Sequence, residues 1–254
     1  MPTALLRQVS STFDRAIVSE AGRRPDVDLA REQHDRYAQA LIGAGYDVEV
    51  IAADDAHPDC VFIEDTAIII GSTAVITRPG ASERRGEVGP VADVLETRFP
   101  LAAIEAPGTL DGGDVMVLDR TVFVGRSKRT NDSGIAQLAE VASSEGLKVT
   151  AVPVQEVLHL KSAVLPVAEA VVVVTPGTVD ESLLSHLRIL HESQDERHRF
   201  SALKLESGDV LVTANAPDTA RMIADLGISV VPIDVSEIQA ADGGLTCMSI
   251  LIEN

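Results

Sequence analysis

Val61-Phe62-Ile63-Glu64-Asp65 and Leu110-Asp111-Gly112-Gly113-Asp114 share one plan: an apolar step, then acidic or glycine residues, then a β-branched run. The plan returns at Val157-Leu158-His159-Leu160-Lys161, at Leu205-Glu206-Ser207-Gly208-Asp209 and at Asp242-Gly243-Gly244-Leu245-Thr246-Cys247. Counted through Asp65, Asp111, His159, Glu206 and Cys247, the spacings are 46, 48, 47 and 41 residues. A near-constant period in this range marks a repeat architecture, in which one unit cannot bury its own apolar face. Five such units packed around an axis would bring the polar end of each to one central place. Asp65, Asp111, His159 and Cys247 would then meet although they span most of the chain.

Between these stretches, strand and helix patterns alternate, which places the chain in the α/β class. Strands are expected at 46–51, 67–70, 74–77, 115–118, 121–124, 148–152, 171–174, 210–213, 228–231 and 247–252. Helices are expected at 29–44 with Asp28 as cap, 90–98 with Pro90 at its start, 132–145 before Gly146, 181–191, and 217–226 before Gly227. No linker or low-complexity tract divides the chain, so residues 1–254 read as a single domain.

Composition narrows the function. A formal charge of −18 argues against a phosphate-backbone binder, and the absence of Trp argues against base-stacking platforms. No apolar run approaches the roughly 20 residues that span a bilayer, and the N-terminus has no signal-peptide pattern. Two cysteines suit a reducing compartment, so a cytoplasmic location is expected. Neither nucleic acid nor membrane is an expected partner, and a homodimer is among the assemblies left open.

Cys247 follows two glycines at the start of the last expected strand, where its sulfur would be accessible. Cys60 reads as core; with His57 and Asp59 it could suggest zinc, but no second ligand pair accompanies it. His159 interrupts an apolar stretch at the repeat position that carries carboxylates elsewhere, and imidazole suits proton transfer. Glu64, Asp65, Asp111 and Asp114 sit between apolar runs, where carboxylates need a cationic partner. Arg84, Arg85 and Arg129 offer guanidinium forks that match a carboxylate. A ligand with a cationic head and a carboxylate tail, such as an arginine derivative, would satisfy this set.

At these residues the chain resembles the dimethylarginine dimethylaminohydrolases of the guanidine-modifying, pentein superfamily. The likeness covers nearly the whole chain. It rests on Pro58–Asp65, Ile76–Gly80, Thr109–Val115, Phe123–Asn131, Leu158–Ser162 and Asp242–Cys247. It implies a five-bladed α/β propeller built around a central site. It also implies hydrolysis of N-methylated arginine to citrulline and a methylamine, with no metal or organic cofactor. By that resemblance Cys247 is the nucleophile and His159 the general acid/base. Asp65 and Asp111 hold the guanidinium with Glu64 beside them, and Arg84 and Arg129 take the α-carboxylate. Asp59 lies near the α-amine, which the backbone carbonyls of Val9 and Ala241 receive. The fourth stretch lacks the asparagine often found there in the family, and Glu206 or Asp209 is expected to add negative charge near the site. Ser19–Asp28 is the lid candidate.

Arginine deiminases use similar residues but carry an added helical segment for which this chain has no room. A non-catalytic amino-acid-binding module would need the carboxylates and arginines, but not the thiol and imidazole. A zinc protein built on Cys247 and His159 would lack a full ligand set.

Overall fold

A computed structural model describes residues 1–18 and 23–252. In chain order the first elements are β1 (Thr3–Arg7), α1 (Val27–Gly43) and β2 (Asp47–Ile51). They are followed by β3 (Ala67–Ile70), β4 (Thr73–Ile76), α2 (Val88–Leu95) and β5 (Leu101–Ala103). Next come β6 (Val115–Leu118), β7 (Thr121–Arg126), α3 (Asp132–Ser144) and β8 (Lys148–Pro153). The remaining elements are β9 (Val164–Ala168), β10 (Val171–Val174), β11 (Arg188–His191), β12 (Ala202–Lys204), β13 (Val210–Thr213), α4 (Pro217–Ala224), β14 (Val230–Ile233), α5 (Ser236–Gln239) and β15 (Ser249–Ile252). None of the described helices is long and apolar enough to cross a membrane.

The strands form five three-stranded sheets: β15-β1-β2, β3-β4-β5, β6-β7-β8, β9-β10-β11 and β12-β13-β14. In the β3, β6 and β12 sheets, two antiparallel strands are joined by a tight turn and a third strand returns parallel to the second. The first sheet makes the same pattern from both ends of the chain. β15 runs antiparallel to β1, pairing Thr3 with Ile252, and β2 runs parallel to β1.

The fivefold repetition is therefore present, but the expected closed propeller is not. Among the described residues no ladder joins one sheet to the next, and each stops at three strands. An isolated bridge between Arg78 and Leu110 is the closest approach to such a link. The third strands resist extension because their outer residues are unsuited to further pairing. β2 carries Asp47 and Glu49, β11 carries Arg188, and β14 contains Pro232, which has no N–H to donate.

The chain divides into two compact units. The first comprises Met1–Phe62, Leu165–Thr175 and Leu187–Asn254; the second comprises Ile63–Val164 and Pro176–His186. In the first, Phe13, Tyr37, Leu41, Phe62, Ile238 and Met248 pack into one core, and Val167, Val212 and Ile223 into another. Phe13 and Phe62 meet edge to face with ring centroids 5.8 Å apart. In the second, Ile70, Val75, Leu110, Val122, Val124 and Leu138 form the core.

Helix α1 starts earlier than expected. Asp26, not Asp28, is the cap, accepting the N–H groups of Asp28 and Leu29 at 3.0 Å each. Pro90 lies inside α2 rather than at its start. The expected helix at 181–191 does not form. A short 3-10 turn at Glu181–Leu184 gives way to β11, which pairs Arg188–His191 with Val171–Val174. The open edge of β10 offered more hydrogen bonds than a short amphipathic helix, so tertiary pairing overrode the leucine periodicity. The short strands β1, β5, β9, β11 and β12 escaped the sequence reading.

The fourth repeat was also placed out of phase. Leu205–Asp209 is the turn joining β12 to β13, not the head of a repeat. Gly208 has φ +89° there, as Gly71, Asp119 and Ala170 have positive φ in the corresponding turns of other sheets. Glu206 and Ser207 are exposed, and Ser207 Oγ donates to Asp209 Oδ2 at 2.8 Å. Ser201 immediately precedes β12 as Thr66 precedes β3; each carbonyl accepts, at 3.0 Å, the N–H of the threonine that follows the partner strand, Thr213 and Thr77.

Candidate active site

Three repeats of the second unit each present a polar residue where a 3-10 turn precedes a strand. Asp65 lies in the turn Ile63–Thr66, Asp111 starts the turn Gly112–Asp114, and His159 precedes the turn Leu160–Ser162. All three side chains are buried. His159 Nε2 lies 3.1 Å from Asp111 Oδ2, and Nδ1 lies 3.9 Å from Asp65 Oδ1. Backbone donors hold the carboxylates in place: Gly113 N–H donates to Asp65 Oδ1 at 2.9 Å, and Gly80 N–H to Asp111 Oδ1 at 2.8 Å. Gly113 must be glycine, because a Cβ there would stand 2.6 Å from His159 Nδ1.

Electrostatics decide the protonation states. Burial opposes charge on Asp65, but the neighbouring His159 and Arg84 charges outweigh it and hold this carboxyl at about 2. Burial likewise opposes charge on His159. The Asp65 charge, the hydrogen bond to Asp111 and the charge of Asp114 prevail, and raise the imidazole to about 9. His159 is therefore an imidazolium at neutral pH, with a proton ready to donate. Asp114 behaves oppositely: burial pushes its carboxyl up, although His159 and Ser127 pull the other way. Asp114 accepts Leu160 N–H at 2.9 Å and Ser127 Oγ–H at 2.6 Å, fixing the turn behind His159.

The two arginines differ. Arg84 is buried, donates through Nη1 to Asp65 Oδ2, and donates through Nη2 to Glu87 Oε2 at 2.8 Å. Asp65 thus has its cationic partner in Arg84, 19 residues on. Arg129 Nη1 is 4.0 Å from Asp111 Oδ2, is buried, and has no hydrogen-bond partner. Glu64 accepts Lys161 Nζ–H at 2.6 Å. Arg85 donates through Nε to Pro79 O at 3.0 Å. Sequence reasoning missed Glu87 and Lys161. The i,i+3 spacing of Arg84 and Glu87 was the available signal for the first; nothing local marked the second.

The first unit holds the other expected residues. Cys247 is half-buried within the 3-10 turn Thr246–Met248, one turn before β15 rather than on it, and its Sγ accepts Gly244 N–H at 3.3 Å. Val9 and Ala241 are buried. Asp59 accepts Ile17 N–H through both carboxylate oxygens, at 3.1 and 3.2 Å. His57 pairs with Asp54 at 2.7 Å, and Cys60 is buried. Within the lid candidate, residues 19–22 lie outside the described residues; Arg23 pairs with Glu237 at 2.6 Å.

Among the described residues the one group with donors spaced for a metal is Asp65, Asp111 and His159, within 4.8 Å of one another. A metal there would need neutral imidazole, and the surrounding carboxylates instead favour the ring's own proton.

A family model for eukaryotic N,N dimethylarginine dimethylhydrolase matches residues 9–253. The chain belongs to the dimethylarginine dimethylaminohydrolase family. The family's enzyme from Streptomyces coelicolor is 38% identical, over 97% of this chain and 95% of that one. That from Pseudomonas aeruginosa is 32% identical, over 94% of each. A crystal structure of the Pseudomonas aeruginosa enzyme, a cysteine-to-serine variant with citrulline, superposes with a TM-score of 0.95 at 30% identity. It covers 99% of this chain and 100% of that one.

Proposed function

We propose that this chain hydrolyses N-methylated arginine, dimethyl or monomethyl, to citrulline and a methylamine through a covalent cysteine intermediate. One observation carries the reading: in a chain of this family, the buried imidazole of His159 lies within hydrogen-bond distance of Asp111 and is flanked by Asp65. That is a general acid beside two carboxylates suited to a guanidinium.

A guanidinium resists attack because its charge is delocalised. Asp65 and Asp111 fix its plane, with Glu64 beside them, and so orient Cζ. The bound cation also favours the thiolate of Cys247. The thiolate adds to Cζ; the bond from Cζ to the methylated nitrogen breaks as His159 gives that nitrogen its proton. The resulting thiouronium is attacked by water, whose proton returns to His159. The C–S bond then breaks, releasing citrulline and the thiolate. Arg129, whose buried Nη1 makes no hydrogen bond, takes the α-carboxylate; Arg84, whose nitrogens donate to Asp65 and Glu87, keeps those carboxylates charged beside it. Asp59 and the carbonyls of Val9 and Ala241 serve the α-amine. The reaction needs no cofactor. Two cysteines in 254 residues suit a reducing compartment and so a cytoplasmic location. Sedimentation separates monomer from homodimer.

A citrulline assay over dimethylarginine, monomethylarginine, arginine and agmatine tests the substrate. Methylated arginines should turn over fastest. Agmatine should react poorly, because burying a cation without its carboxylate costs several kcal/mol. Faster turnover of unmethylated arginine would make the chain a deiminase instead. Cys247→Ser should abolish activity in a folded protein; retained turnover would reject the covalent route.

A further inference from the structure

Ser201 immediately precedes β12, the first strand of the fourth repeat. It is anchored to the adjoining strand. Its N–H donates to Thr213 Oγ at 3.1 Å, and its carbonyl accepts Thr213 N–H at 3.0 Å. Thr213 is itself buried, and its hydroxyl donates to Arg199 O at 2.9 Å. From this fixed base, Ser201 Oγ accepts the N–H of Leu245 at 3.0 Å. The same hydroxyl presses on Gly244, where an added Cβ would lie only 2.6 Å from it. Gly244 in turn donates its N–H to Cys247 Sγ at 3.3 Å.

Glycine has no side chain to restrain its own backbone. Whether the Gly244 N–H points at sulfur therefore depends on what grips its neighbours. Leu245 N–H is held by Ser201, and Gly243 is packed against Phe62. A donor aimed at sulfur stabilises the thiolate over the thiol, and does so without contact to substrate.

We infer that Ser201 is a positioning residue for the nucleophile: its hydroxyl holds the Gly244–Leu245 segment so that Gly244 N–H faces Cys247 Sγ. This rests on the reading of Cys247 as nucleophile. On this reading the fourth repeat supplies a hydroxyl to the loop before Cys247.

The test separates thiol chemistry from turnover. The rate of alkylation by iodoacetamide is followed against pH in the full chain, with Cys247→Ser as the blank for Cys60. In Ser201→Ala the alkylation midpoint should move to higher pH, and the rate at neutral pH should fall about tenfold. On methylated arginine, kcat should fall by a similar factor while KM stays within about twofold, as expected when a group acts on the nucleophile and not on binding. Ser201→Thr keeps the hydroxyl and should restore both profiles. An alkylation profile in Ser201→Ala that superimposes on the wild-type one overturns the inference, even if the melting temperature drops. If Ser201→Ala does not fold, Ser201→Thr decides: a displaced profile despite the retained hydroxyl overturns it. If alkylation shifts as expected but no methylarginine is hydrolysed by the wild-type chain, the positioning role stands and the proposed substrate fails.

Discussion

Arg84 and Arg129 look interchangeable in sequence, yet their surroundings give them different work. Arg84 neutralises two buried carboxylates, Asp65 and Glu87. Removing it would leave both charges buried without their cation, a loss of about 3–5 kcal/mol. Arg84→Ala should therefore lower the denaturation midpoint sharply as well as activity. Arg129 Nη1 makes no hydrogen bond and approaches Asp111 only to 4.0 Å, so its replacement removes less from the resting fold than loss of the Arg84 contacts. Arg129→Ala should keep its melting temperature close to wild type while KM rises at least about tenfold, since a desolvated carboxylate loses its partner. Steady-state kinetics alongside chemical denaturation of the two variants separates the roles. An unchanged KM in Arg129→Ala would remove that residue from the carboxylate site. The distinction was not legible in sequence, where both are simply arginines after a turn; it arises because Glu87 lies one helical turn from Arg84.

At the scale of elements, the short 3-10 turns before strands carry the candidate site, and their close packing explains their composition. At Gly112 a Cβ would run into the carbonyl of Glu64, so the turns holding Asp65 and Asp111 are pressed together through a glycine. Gly112→Ala should force them apart. We expect kcat/KM to fall at least about a hundredfold, in line with a misplacement of about 1 Å at a reacting centre. Gly89→Ala serves as the comparison: it lies in α2 with nothing within 4 Å of a built Cβ. There, alanine should leave activity intact and add about 0.5–1 kcal/mol of stability. Equal kinetics for the two variants would show that the turns can shift without harm. Elements with strong local signals were readable in advance. Helix α3 ends within a residue of its expected bounds, because Ile135, Leu138 and Ala142 mark its buried face and Gly146, at φ +71°, ends the turn beyond it; the Asn131 cap is seen only in the structure. Residues 181–191 misled because strand β11 takes its structure from the edge of β10 and not from its own leucines.

For the whole molecule, the charged cluster makes stability depend on pH in a direction that can be worked out. His159 is raised from 6.5 to about 9, so its contribution is complete below about pH 6.5 and is lost as pH rises through about 9. Asp65 is lowered from 3.8 to about 2, so its contribution is complete above about pH 3.8 and is lost as pH falls through about 2. Melting temperature should therefore favour wild type over His159→Gln most strongly between about pH 4 and 6.5, with the gap narrowing toward pH 9. A gap that stays constant across that range would mean that the imidazole is not held charged by these carboxylates. The amino-acid sequence by itself determined the α/β class, the fivefold repeat, the family and the residue types available for chemistry. Each of those is written in local spacing or in short motifs such as Leu110–Val115. Tertiary structure alone decided that β1 and β15 join the two chain ends in one sheet, and that the five sheets stay separate. It also decided that Glu206 lies in the turn between β12 and β13 while Ser201 precedes β12, and that Arg84 is committed to Asp65 and Glu87. These outcomes depend on which strand edges, backbone donors and buried charges meet across long stretches of chain, and no local pattern encodes such pairings.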